Sequence, residues 1–119
     1  SVVSHECDDG DLPVPGATIT YKTSYLNEGY TAAYNVTFED YIPENTTYVF
    51  HSMRSSIPAK LYFWVKGSAG VSGDWTTEEP KNTDRVVKLK WVLERPLQPV
   101  KISNEASGFL QYSVKINYL

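Results

Sequence analysis

The sequence predicts an all-β domain, an immunoglobulin-like antiparallel β-sandwich of about seven strands. Three observations lead there. Apolar and polar residues alternate with period two over several short runs bounded by Gly, Pro or Asn. Tyr is abundant, with nine residues, and Thr and Val are frequent; these suit a pleated, half-buried surface. No long stretch repeats apolar residues at helical spacing. A chain of 119 residues suits one domain. Folding at this size hides roughly two thirds of the unfolded surface, enough for a core without covalent staples.

The elements follow in order. Residues 1–12 read as an acidic lead-in or linker and residues 13–119 as the sandwich domain. Pro13-Val14-Pro15-Gly16 is a rigid turn. From Ala17, Ile19, Tyr21, Thr23 and Tyr25 share an inner face, while Thr18, Thr20, Lys22 and Ser24 share a wet one. Asn27-Glu28-Gly29 closes this strand, with Gly29 free to take positive φ. Tyr34–Tyr41 forms the second strand, with Val36 and Phe38 inward, and Pro43 ends it. Thr46–Ser52 offers a short strand through Tyr48 and Phe50. Lys60–Lys66 is the most apolar strand, with large side chains on both faces: one joins the core, and the other is covered or forms a patch. Its flanking lysines discourage edge pairing. Gly67–Gly73 is a turn and Asp74–Asp84 a polar loop. In Arg85–Leu93, Val87, Leu89, Trp91 and Leu93 face one side, and Lys88 and Lys90 the other. A short strand around Val100–Ser103 follows. The last strand opens at Gly108, with Leu110, Tyr112, Val114 and Ile116 inward. An odd number of antiparallel strands places the two termini at opposite ends, so such domains can be strung in a row.

Several of these residues stand in a familiar order. Pro15-Gly16-Ala17-Thr18-Ile19-Thr20-Tyr21, Asn27-Glu28-Gly29, and Ala33-Tyr34-Asn35-Val36-Thr37-Phe38-Glu39-Asp40-Tyr41-Ile42-Pro43 follow one another, and Asn45-Thr46-Thr47-Tyr48 continues the run. Leu89-Lys90-Trp91, Leu97 and Pro99, and Ser107–Ile116 extend it. The chain thereby resembles the conserved repeat domain of unknown function, number eleven (the DUF11 family), of bacterial and archaeal surface proteins. Residues 13–50 carry the specific part of the match and 86–117 a generic part. Val100 stands where that family usually has Gly, Glu44-Asn45 replaces a small residue plus Gly, and residues 51–85 match little. The resemblance implies an Ig-like sandwich, export, tandem repetition, and roles in adhesion, envelopes or surface layers. It carries no catalytic residues.

Composition narrows the chemistry. A formal net charge of −3 argues against nucleic acid, whose phosphates need a basic face. No run of 18 apolar residues exists, so the domain is not expected to span a membrane. No signal peptide is visible, which decides nothing about export. The single cysteine, Cys7, cannot form an internal disulfide. It reads as an incidental thiol, with an intermolecular bridge or metal ligation as alternatives.

No catalytic residue and no cofactor is assigned. His5 and His51 lack a Gly-x-Ser-x-Gly elbow to position a nucleophile. Of the adjacent carboxylate pairs, Glu39 and Asp40 point to opposite faces of a strand; Glu78 and Glu79 read as solvated loop charges. Glu6, Asp8, Asp9 and Asp11 offer clustered oxygens for Ca²⁺, completed by an adjoining domain. Their spacing matches no EF-hand, which favours a solvated acidic linker over a calcium site. Trp64, Trp75, Tyr30 and Tyr34 are the aromatics whose burial the pattern leaves open; exposed, they would stack on sugars, and buried they would pack a core. Asn35-Val36-Thr37 and Asn45-Thr46-Thr47 are glycosylation sequons.

Together these features point to a non-catalytic spacer or adhesive repeat of an exported cell-surface protein, located outside the cell. The expected partners are neighbouring repeat domains of the same polypeptide, and surface proteins or glycans. The isolated domain is expected to be monomeric. The alternative is a carbohydrate-binding module of a secreted protein, using exposed aromatics.

Overall fold

The computed structural model describes residues 2–10, 14–67, 72–99 and 106–118, the first segment by its backbone. It is an immunoglobulin-like antiparallel β-sandwich, with nine strands among the described residues rather than about seven. One sheet has the order β1-β2-β9-β4, from Val2–Gly10, Thr18–Asn27, Ser107–Ile116 and Thr46–Tyr48; the two-residue β5 (Arg54–Ser55) also pairs with β9. The other has the order β3-β8-β6-β7, from Thr37–Tyr41, Val86–Leu93, Ala59–Val65 and Asp74–Thr76. A 3₁₀ turn, Thr83–Arg85, precedes β8.

The β2–β9 register explains why period two was visible in both strands. Ile19 faces Val114, Tyr21 faces Tyr112, Thr23 faces Leu110 and Tyr25 faces Gly108. Residues directly opposite one another share a face, so the two inner rows coincide. The second sheet answers with Phe63, Leu89, Trp91 and Leu93, all buried. Ring contacts tie the layers together: Tyr25 to Phe38 at 4.7 Å and Trp91 to Tyr112 at 5.9 Å. Ile19, Tyr21, Val36 and Phe38 pack against this core while remaining partly buried.

The differences from expectation have local causes. Residues 2–10, read from sequence as part of the lead-in, form β1 and pair along β2 from Val2–Asn27 to Gly10–Ile19. Without β1, that edge of β2 would present a row of unpaired backbone groups. Strand β3 begins at Thr37 and not at Tyr34, because Asn35 takes φ +53°, a left-handed conformation that Asn tolerates. Gly29 does not supply positive φ; Asn27 shapes that loop instead. Its buried amide donates to the carbonyls of Thr31 (3.0 Å) and Leu97 (2.8 Å), and its Oδ1 accepts from Gly29 N–H (3.0 Å). The positive-φ glycine is Gly16, at +87°, in the turn closed by Ala17 N–H to Val14 C=O.

A register shift between Trp64 and Val65 pairs Trp64 with Lys88 and Val65 with Val86. Val87 is thus the extra residue of a bulge, and Val86 takes the core position expected for it. Ile116 is half-buried at the end of β9, outside the core cluster. The expected strand Thr46–Ser52 stops at Tyr48, which is buried, whereas Phe50 is exposed. Met53, Ile57 and Leu97 join the core from irregular segments, where periodicity gave no signal. Asp74–Thr76, expected within a polar loop, is edge strand β7. The strand expected near Val100–Ser103 lies outside the described residues.

The edge formed by β4 and β5 is one strand broken in the middle. Ser52 mends the gap: its hydroxyl donates to Ser113 C=O (3.3 Å) and accepts from Ser113 N–H (3.0 Å). Further along, Ser56 Oγ accepts from Phe109 N–H at 2.8 Å. These side-chain bonds satisfy backbone groups of β9 that a continuous partner would otherwise take.

Two stability predictions follow from this packing. Trp91 is fully buried, so Trp91→Ala should cost about 3–5 kcal/mol as a large core truncation; an unshifted thermal melt would contradict its placement. At Gly108, an added Cβ would lie 2.6 Å from Tyr25 Oη and 2.8 Å from Ser56 Oγ. Gly108→Ala should therefore destabilise by about 1–3 kcal/mol through overpacking, and Tyr25→Phe in the same chain should relieve part of that loss in urea unfolding.

Candidate functional site

The outer face of the β3-β8-β6-β7 sheet carries a cluster of aromatic rings and lysines outside the core. Its composition follows from the inner face. Leu61 and Phe63 of β6 pack inward, which turns Lys60, Tyr62 and Trp64 outward; Leu89 and Trp91 of β8 do the same for Lys88 and Lys90. Register then aligns these residues across strands. Tyr41, Lys88, Trp64 and Trp75 form one row spanning all four strands. Glu39, Lys90 and Tyr62 form the next row.

Within the plate the two indoles meet edge to face, 5.3 Å between centroids and 82° between planes. Lys88 Nζ lies 4.8 Å from the Trp64 ring, 5.2 Å from Trp75 and 5.4 Å from Tyr41. Lys90 Nζ lies 4.2 Å from Trp75 and 4.7 Å from Tyr62. The negative ring faces attract the ammonium groups. Neither lysine is ion-paired among the described residues. Gly73 lets the chain pass close to Trp64, since a side chain there would strike the Val65 carbonyl and the indole.

Of the four candidate stacking residues, the structure brings Trp64 and Trp75 together and leaves Tyr30 and Tyr34 apart. Both tyrosines are highly exposed, at 76% and 72%, in the β2–β3 connection. That connection enters β3 at Thr37, whereas Tyr41 and the tryptophan row stand at the strand's other end. Tyr41 and Tyr62 were not singled out from sequence; the outward parity of Tyr62 and Trp64 was the available signal. The sequon asparagines Asn35 and Asn45 are both exposed, in turns with φ of +53° and +63°.

Asp8 and Asp9 lie on β1 opposite Tyr21 and Thr20, and Cys7 opposite Lys22. The side chains of these residues and of His5 and Glu6, and the whole of Asp11, lie outside the described residues. Among the described residues, no group of three His, Cys, Asp or Glu could hold a metal ion. Glu39 and Asp40 occupy successive positions of β3, opposite Lys90 and Leu89, and so project from opposite faces.

Glu79 is not the freely solvated loop charge expected. Its carboxylate accepts from Tyr48 Oη–H at 2.8 Å and from the His51 backbone N–H, tying the loop after β7 to the end of β4. His51 itself is exposed, with φ +63°, and stacks on Phe50 at 3.8 Å. Burial raises the Tyr48 hydroxyl above its ordinary value of 10.0, and the hydrogen bond and charge of Glu79 raise it further. Burial also raises Tyr25.

No protein-family model, no curated protein and no solved structure matches the chain.

The tyrosine shifts set an alkaline limit. In the unfolded chain Tyr25 and Tyr48 ionise near 10.0, but in the fold they stay neutral to higher pH. Their contribution is complete below pH 10 and falls as pH rises beyond it, because the unfolded state then releases protons that the fold retains. Melting temperature as a function of pH should show this decline. Tyr48→Phe should shrink it, while costing about 1.5–3 kcal/mol at neutral pH through the lost bond to a charged acceptor. An alkaline decline as steep in Tyr48→Phe as in the parent would count against the assignment.

Proposed function

We propose that the chain is a non-catalytic spacer or adhesive module of an exported cell-surface or envelope protein, akin to the DUF11 repeats it resembles. One observation carries this reading: the chain enters and leaves the sandwich at opposite ends. Val2 pairs with Asn27, at the end where β9 begins, while Lys115, near the end of β9, pairs with Thr18, where β2 begins. Strands β1 and β9 both run antiparallel to β2, so the path advances by one strand length, about 30 Å. Such a module extends a row when joined to neighbouring repeats of the same polypeptide, which are its proposed partners. The arrangement of the carboxylates supports a non-catalytic role, because Glu39 and Asp40 face opposite ways and Glu79 is engaged by Tyr48.

A second reading has its own observation. The Trp64–Trp75 pair, with Tyr41 and Tyr62 beside it, favours a carbohydrate-binding module on a secreted protein. Aromatic rings present apolar faces to the C–H faces of sugars.

Fractionation of the native organism, with an antibody to this domain and protease shaving of intact cells, tests export. Loss of the signal from intact cells is expected. A protease-protected cytosolic signal would overturn the surface role and leave only the fold.

A further inference from the structure

We infer that the outer face of the β3-β8-β6-β7 sheet binds an anionic polysaccharide of the uronic acid type, with Lys88 and Lys90 pairing its carboxylates. This rests on the carbohydrate-binding reading of the same face and adds the charge of the ligand.

Three features carry it. The first is charge complementarity on a chain whose net charge is −3: Lys88 and Lys90 project from one face with no ion pair among the described residues. The second is preorganisation. Lysine usually loses much rotamer freedom on binding a ligand, but here each ammonium is already held by two or three rings, Lys88 by Tyr41, Trp64 and Trp75 and Lys90 by Tyr62 and Trp75. A ligand carboxylate arriving from solvent meets Lys88 as a fixed charge with no carboxylate in its row, whereas Lys90 shares its row with Glu39. The third is the interleaving of rings with single charges. A polymer with one carboxylate per sugar matches a row in which the Lys88 ammonium stands between the Tyr41 and Trp64 rings, and Tyr41, 67% exposed at the end of that row, offers a free surface to the sugar. A protein segment rich in acidic side chains would use the lysines and not need that ring surface.

Binding of the 119-residue chain to polygalacturonate and to alginate, each beside its fully methyl-esterified form, is the test. The ester keeps the sugar and removes the charge. The acid forms should bind, and esterification should weaken binding about tenfold or more. Raising salt from about 0.05 to about 0.5 M should weaken it as well. Lys88→Gln with Lys90→Gln should abolish the difference between acid and ester, and Tyr41→Ala should weaken acid-form binding several-fold, with melting temperatures confirming that both variants fold. Equal binding of acid and ester would overturn the inference and leave the carbohydrate reading standing. Polyglutamate binding as tight as polygalacturonate would overturn it by showing a general polyanion surface. Binding to neither sugar polymer in either form, nor to a neutral xylan, would overturn the inference and the carbohydrate reading together.

Discussion

The β2–β9 pairing is the constraint from which the rest of the sandwich takes its geometry. These are the two longest strands with described side chains, and their inner rows coincide over Ile19–Val114, Tyr21–Tyr112 and Thr23–Leu110. A slip of one residue would turn every one of those side chains to the wet face. The pairing is pinned at one end by Tyr25, whose ring lies where a side chain at position 108 would have to go. Only glycine opposite Tyr25 lets the register close. The same tyrosine then reaches across the layers to Phe38, and Tyr112 reaches to Trp91. Alignment within one sheet thereby fixes where the second sheet rests.

The edges of this central pair are finished with polar chemistry in place of long partner strands. On one side β1 completes the ladder of β2. On the other, β4 and β5 cover β9 only in part, and the Ser52 and Ser56 hydroxyls bond the backbone between and beyond them. Glu79 clamps the break from the opposite direction through Tyr48 and the His51 backbone. An interrupted edge offers a poor template to another strand. The interruption costs little because each exposed rung has found a side-chain partner, and it lets Met53 and Ile57 drop into the core from the intervening loop.

What the sequence revealed depends on whether the information was local. The inner rows of β2, β8 and β9 were legible because alternation over several residues reports a face without reference to any partner. The bulge at Val87 was not, because it is defined by β6 opposite. Strand β1 was masked by its acidic composition, which suggested a linker; its place comes from the open edge of β2. Tyr48, Met53, Ile57 and Leu97 reach the core from short or irregular segments with too few residues to show a period. The plate was half-legible. Lys88 and Lys90 were placed outward by parity, and Trp64 and Trp75 were named as candidates. Their meeting needed the register of β8, β6 and β7, and the recruitment of Tyr41 needed that of β3 as well.

That plate shows how one face of a sheet leaves the other free to vary. Leu61, Phe63, Leu89 and Trp91 satisfy the core, so the residues between them are under no packing demand. Threonine and serine would serve there, as they do on the outer face of β2. Two tryptophans and two tyrosines stand there instead, a composition that on an open sheet invites self-association. Lys88 and Lys90 counter this by lying among the rings. They place repelling positive charge over apolar surface, and the rings hold the ammonium groups without neutralising them. A second copy of the same face is therefore repelled, while a ligand that combines apolar C–H surface with negative charge is attracted. The same two lysines thus set both what the face rejects and what it accepts.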